Sequence, residues 1–268
     1  MADMKTKPTA RHPPPARFAG SVRTRIAPLS FILFTLACCV NGQPAREPQA
    51  KSPEEFDDFL EVKDLHAPAD IVAGAKRFAQ RWPDSALLGQ IYRLELDAYR
   101  QLGDSASAIA AGEHVLQKAP DNLDALVEVA YLLADSRRDA TSLARADEYA
   151  RRVLALVDTI QIPRSISPRQ WTTLRSKLEA RAHIALGLIA FNQGRPKLAL
   201  EEFEMANRLM PEPDAALYYR LGLLYRVLGD DAKGVEMLRQ AARSTDPTLR
   251  NLAEQQLRKT RAEQPTPH

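Results

Sequence analysis

The sequence predicts an all-α fold, a right-handed superhelical solenoid of about five helix-turn-helix units. Three observations predict it. Residues 186–206, LGLIAFNQGRPKLALEEFEMA, and residues 221–241, LGLLYRVLGDDAKGVEMLRQA, lie 35 positions apart and keep their small residues in register while most others differ. Helix caps and helix breakers fall where such units would begin and end. No segment reads as a strand.

Counted on a unit of about 34 residues from Ala180, Leu186, Gly187, Gly194, Ala199, Phe203, Ala206 and Pro211 take positions 7, 8, 15, 20, 24, 27 and 32. The unit from Ala215 gives Tyr218 at 4, Leu221 at 7, Gly222 at 8, Tyr225 at 11, Gly229 at 15, Leu238 at 24 and Ala241 at 27, with Gly234 at 20. Positions 8 and 20 are where the two helices cross, and only Gly or Ala lets the axes approach closely. Position 15 ends the first helix, where glycine takes the left-handed conformation without a Cβ penalty. Proline at 32 stops the second helix. Close contacts therefore fix residue identity, while filling positions fix only size and polarity.

This pattern closely resembles the tetratricopeptide repeat (TPR), a helix-turn-helix unit. The resemblance covers about 52–248, with units near 52–85, 89–122, 123–156, 180–213 and 215–248. It is strong in the last two and fades toward the N-terminus. The unit from Gly89 keeps Tyr92, Tyr99, Gly103, Ala108 and Pro120 but has Leu96 at 8 and Gly112 at 24. The unit from Leu123 begins with Leu126, Val129 and Ala130. It needs about four extra residues in its turn, SRRDATSL, before Ala146, Ala150 and Val153 fall into the second helix. Near 52–84 only Ala75, Phe78 and Pro83 match.

Caps agree with this layout. Ser52-Pro53-Glu54-Glu55 and Ser167-Pro168-Arg169-Gln170 place Ser at N-cap, Pro at N1 and Glu or Gln at N3. The second opens a long helix running toward Asn192. Asp246-Pro247 opens a charged terminal helix over 247–262 that caps the solenoid. Residues 43–51 read as a linker and 263–268 as a tail.

The N-terminus reads as an address. Residues 1–42 hold six Lys or Arg against Asp3 alone, a net of +5 that leaves −2 for the rest of a chain whose total is +3. The body is thus a poor match for a phosphate backbone, and nucleic acid is excluded as a partner. Fifteen apolar-rich residues, Ile26–Val40, follow the basic lead, with small and polar residues after them. This is the layout of a secretory signal peptide over 1–42, cleaved between Gly42 and Gln43. The run is short of the roughly 20 residues of a membrane span. An uncleaved anchor and a later true start are the alternatives. Cys38 and Cys39, the only two cysteines, offer another: a lipid attachment site. Leu36-Ala37-Cys38-Cys39 resembles the lipoprotein box Leu-Ala-(Gly/Ala)-Cys but has Cys before the modified residue. Thr35-Leu36-Ala37-Cys38 has the right last residue and a shifted leucine.

Signals for catalysis are absent. His66, His114 and His183 are scattered, with no HExxH and no metal-spaced His/Cys cluster, and no Gly-rich loop follows a strand. His183, at position 4, reads as a packing residue, and Glu201, Glu202 and Glu204 read as a solvated face. No enzyme activity, metal or cofactor is expected. What remains is binding surface. The resemblance implies a concave groove lined by first helices at positions 2, 5, 9, 12 and 13. In this chain those are Arg93, Asp97 and Arg100; Val127, Tyr131 and Asp135; Arg181, Ile184, Leu188, Phe191 and Asn192; and Tyr219, Leu223 and Arg226. Aromatic and apolar anchors flanked by arginines suit an extended peptide or partner helix. Chaperone-binding members of the family clamp a C-terminal carboxylate with Asn at position 9. Asp97, Tyr131, Leu188 and Leu223 stand there instead, so that clamp is not expected. Trp171 reads either as a partner anchor or as packing on the preceding second helix, and Trp82 as a plug at a helix end. The expected function is a non-enzymatic protein-binding scaffold of the bacterial cell envelope, exported to the periplasm or attached to the envelope. The rivals are an outer-membrane-attached lipoprotein of an envelope-assembly machine and a cytoplasmic adaptor.

Overall fold

The computed structural model describes residues 48–137, 139–160, 166–210, 212 and 214–263, with side chains through 260. Among them are eleven α-helices and no strand. Five pairs pack in sequence: α1 (Pro53–Lys63) with α2 (Pro68–Arg81), α3 (Leu88–Gln101) with α4 (Ser105–Lys118), α5 (Leu123–Ser136) with α6 (Ala140–Thr159), α7 (Pro168–Asn192) with α8 (Pro196–Leu209), and α9 (Ala215–Val227) with α10 (Asp231–Ala241). A last helix, α11 (Pro247–Glu263), packs on α10 and α9. The all-α helix-pair architecture is the one the sequence predicts. The signal and cleavage positions Gly42 and Gln43, the cysteines Cys38 and Cys39, most of the 43–51 linker, Pro211 and residues 264–268 lie outside the described residues. Among the described residues no helix is long and apolar enough to cross a membrane.

Local chemistry sets the helix ends. Proline opens α1, α2, α7, α8 and α11, where its missing N–H costs nothing. Ser167 and Gln170 close a reciprocal capping box on α7. At α1 the box is only half made. Ser52 Oγ accepts from the Glu55 N–H at 3.1 Å, but the Glu55 carboxylate reaches one residue further back and accepts from the Lys51 N–H at 2.6 Å. Asp104, Asp139 and Asp230 cap α4, α6 and α10. Hydrogen bonds from Ser107, from Ser142 and from the Lys233 N–H respectively hold all three below the usual carboxylate range.

Three first helices end alike. Gly103, Gly194 and Gly229 take φ of 73°, 69° and 90°. The next N–H bonds five residues back, Asp104 to Tyr99, Arg195 to Ala190 and Asp230 to Tyr225, at 2.8–3.0 Å. This is the Schellman closure, which uses the left-handed residue to satisfy carbonyls the helix leaves orphaned. The α5–α6 corner differs from its sequence reading. α6 already begins at Ala140, and the extra residues lengthen it to 20 residues against 14 for α4 and α8. ATSL is helix-competent once Asp139 caps it, so the insertion is absorbed as helix that packs along the still longer α7, of 25 residues.

The close crossings sit at the predicted small residues. A Cβ on Gly187 would stand 2.5 Å from two ring carbons of Phe203, which is 1% exposed. A Cβ on Gly222 would stand 2.7 Å from Leu238, and one on Gly234 would stand 3.0 Å from the Gly222 carbonyl. The pair α9–α10 therefore nests backbone to backbone. A continuous apolar core runs from Val115 to Leu224, with a satellite cluster joining α1, α2 and α3.

Candidate binding face

The first helices α3, α5, α7 and α9 carry the residues that the sequence places in a groove, and α5 is their hub. Arg93 of α3 pairs with Asp97 at 3.2 Å and with Asp124 of α5 at 2.9 Å. Burial works against its charge, but Asp124 and Asp97 outweigh that and hold its pKa above the usual value. Arg100 pairs with Asp97 at 3.4 Å and with Glu128 of α5. Glu128, 4% exposed, is also gripped by Arg181 of α7. From α9, Arg220 reaches Asp135 at 3.3 Å and the Tyr131 hydroxyl at 3.5 Å, both on α5. An arginine on α9 that meets α5 across the intervening α7 requires the first-helix face to curl inward there.

These contacts correct the sequence reading of the arginines. That reading has Arg93, Arg100 and Arg181 flanking the anchors of a partner-binding groove, and each is engaged with acids of its own chain. Arg226 lies with its stem over Gly234, at the α9–α10 crossing, and its Nε is 3.6 Å from Asp231. It serves the crossing.

A second correction concerns α7. Ile184 and Leu188 are 5% and 7% exposed and belong to the main core, because α7 lies along α5 and Tyr131 packs onto the same cluster. Val127 is buried there as well. Asn192 donates from Nδ2 to the Ala134 carbonyl at 2.7 Å, tying the end of α7 to α5. Trp171 is 6% exposed and packs in the same core, so it is a structural anchor. Trp82 is half-buried; its Nε1–H donates to Asp58 at 2.7 Å and its ring carries the Arg81 guanidinium.

Beside these paired but part-exposed charges, apolar side chains also stay open. Phe191 is 48% exposed at the end of α7. On α9, Tyr219 and Leu223 are half-buried and Val227 is 69% exposed. Tyr219, Leu223 and Val227 follow an i, i+4, i+8 spacing, which places them on one stripe of the helix. Sequence reasoning missed Val227, although it occupies position 13, one of the groove positions.

Of the α8 glutamates read as a solvated face, Glu201 is exposed as expected, while Glu202 and Glu204 differ. Glu202 meets His183 Nδ1 of α7 at 2.7 Å, and Glu204 accepts from the Tyr225 hydroxyl of α9 at 2.5 Å. Burial and then the Glu204 bond push Tyr225 up to about 12. These pairs tie α8 to both neighbours. Among the described residues no group of acids, histidines or cysteines is arranged to hold a metal ion.

Comparison with known proteins agrees with this architecture. Residues 215–245 match the tetratricopeptide repeat model. No curated relative matches the sequence. Among solved structures, MamA (residue 41 to the end) from Desulfovibrio magneticus RS-1 superposes with a TM-score of 0.52 and 16% identity, over 77% of this chain and 99% of that one. A MamA double mutant from RS-1 gives 0.52 and 16%, over 77% and 98%. A thermophilic TPR protein of Thermus thermophilus gives 0.46 and 16%, over 76% and 98%. At such identity the MamA likeness speaks for the fold. The chain therefore carries a tetratricopeptide repeat at α9–α10 and shares an all-α solenoid fold with MamA.

Proposed function

We propose that the protein is a non-enzymatic interaction scaffold of the bacterial cell envelope that binds a protein or peptide segment through apolar anchors on the α7–α9 half of its concave face. One observation carries this reading: the arginines of that face are spent on the chain's own acids, while Phe191, Tyr219, Leu223 and Val227 keep apolar surface open. Magnitudes favour the apolar row. Burying a side chain of that size contributes about 1.5–3 kcal/mol, whereas a new exposed ion pair contributes about 0–1 kcal/mol and would first have to displace an existing one. An amphipathic helix with apolar residues at i, i+4 and i+8, or an extended segment with aromatic anchors, fits the stripe. The envelope assignment rests on the basic lead and apolar run of residues 1–42.

A photocrosslinking residue at 191 or 223, introduced in cells, should yield a discrete adduct in the envelope fraction, and one at the exposed Glu148 of α6 should not. An adduct found only in the cytosol counts against the envelope assignment. Adducts from 148 but not from 191 and 223 count against the groove.

A further inference from the structure

The two ends of the helix stack carry opposite charge. Residues 52–64 hold six carboxylates against Lys63 alone. Glu54, Asp57, Glu61 and Asp64 are exposed and follow a spacing that gathers them on the outer side of α1. Beside that stripe Phe56 is 47% exposed, over a hollow of about 500 Å³ that it shares with Pro48, Ala50 and Leu87. At the other end, residues 239–261 hold six Lys or Arg against Asp246 and Glu254. α11 buries Ala253 and Thr260 against the stack and turns Arg258, Lys259 and Leu252 outward. Leu252, 40% exposed, is one large apolar side chain left open on that helix.

We infer that the occupant of the α1 face is a second copy of this chain, whose α11 docks head to tail against it. The charge complementarity selects that occupant. Two α1 ends repel, two α11 ends repel, and only an unlike pair brings cations over the acidic stripe. Leu252 then has an apolar counterpart in the Phe56 hollow. Asp58 of α1 is held by Arg81 at 2.8 Å, but the pairs made by the outward charges are weak and solvated: Glu61–Arg77 spans 3.6 Å and Arg258–Glu254 spans 3.8 Å, with side chains from 47% to 75% exposed. Docking therefore gives up little. Opposite charges in an exposed contact set partner and register more than affinity, so the association is modest and sensitive to salt. Because the faces differ, each copy keeps one free end and the contact propagates into linear oligomers.

Sedimentation velocity on the full chain tests this. At low salt the sedimentation coefficient should rise with concentration, and raising the ionic strength to about 0.5 M, where the Debye length falls below about 5 Å, should weaken association by about tenfold or more. Asp57→Lys with Glu61→Lys should give a monomer, and so should Arg258→Glu with Lys259→Glu. Mixing the two reversed variants should restore association, because each supplies the end the other lacks. Leu252→Ser should weaken self-association by about tenfold with unchanged salt response. A wild-type chain that stays monomeric at low salt, reversed variants that associate like wild type, or a mixture that fails to recover overturns the proposal.

Discussion

Leu188→Asp is expected to unfold the C-terminal half of the protein, while Phe191→Asp, three residues further along α7, leaves the melting curve within about 1 kcal/mol of wild type. Both positions read from the sequence as groove residues, and their surroundings separate them. Leu188 is 7% exposed inside the main core, and Phe191 is 48% exposed beyond it. An unpaired carboxylate at 188 loses its hydration and finds no partner, a cost of about 4 kcal/mol or more once the lost leucine packing is added. That is a large share of the roughly 5–15 kcal/mol that holds a domain together. At 191 the carboxylate stays in water and meets only the unfavourable C-terminal end of the helix dipole. Thermal unfolding followed by circular dichroism checks both. A Leu188→Asp variant that melts like wild type would put α7 on the surface, with its α5 side uncovered.

Gly187→Val should cost about 3 kcal/mol, at the upper end for an overpacked core. The added Cβ would stand 2.5 Å from the Phe203 ring, and that ring, 1% exposed, is held on every side. Either the ring leaves its rotamer or α7 and α8 separate. Gly89 provides the contrast. A Cβ there would have the Lys118 Cβ as its nearest neighbour, at 3.7 Å. Gly89→Ala should therefore gain about 0.5 kcal/mol from helix propensity. Chemical denaturation of the two variants measures both signs. Equal effects at 187 and 89 would mean that the α7–α8 crossing is not close.

The fold was legible because its strictest demands are local or nearly so. Gly194 and Gly229 mark left-handed corners that other residues strain to adopt, and Gly187 and Gly222 mark crossings with partners only 16 residues away, Phe203 and Leu238. The candidate binding face was legible only in part, because pairing there depends on how distant helices register. Arg181 meets Glu128 across 53 residues and Arg220 meets Asp135 across 85. A single chain read by position numbers shows which side chains point inward, but not which acids will meet them. The same limit explains Ile184 and Leu188, which would line a groove in an ordinary unit but are covered where the elongated α7 lies along α5. It also explains Glu202 and Glu204 of α8, whose partners His183 and Tyr225 sit on two other helices.

The central claim is that the concave face binds with its apolar stripe and uses its arginines to hold itself together. The direct measurement is the affinity of the crosslinked partner, once purified, for two sets of variants in their folded state. Tyr219→Ala with Leu223→Ser should weaken binding by at least about 30-fold, the loss of roughly 2 kcal/mol of anchor burial. Arg100→Gln and Arg181→Gln should lower the melting temperature and leave the affinity of the folded fraction within about threefold. The reverse result, arginine variants that fold normally but lose the partner beside apolar variants that retain it, would contradict the account.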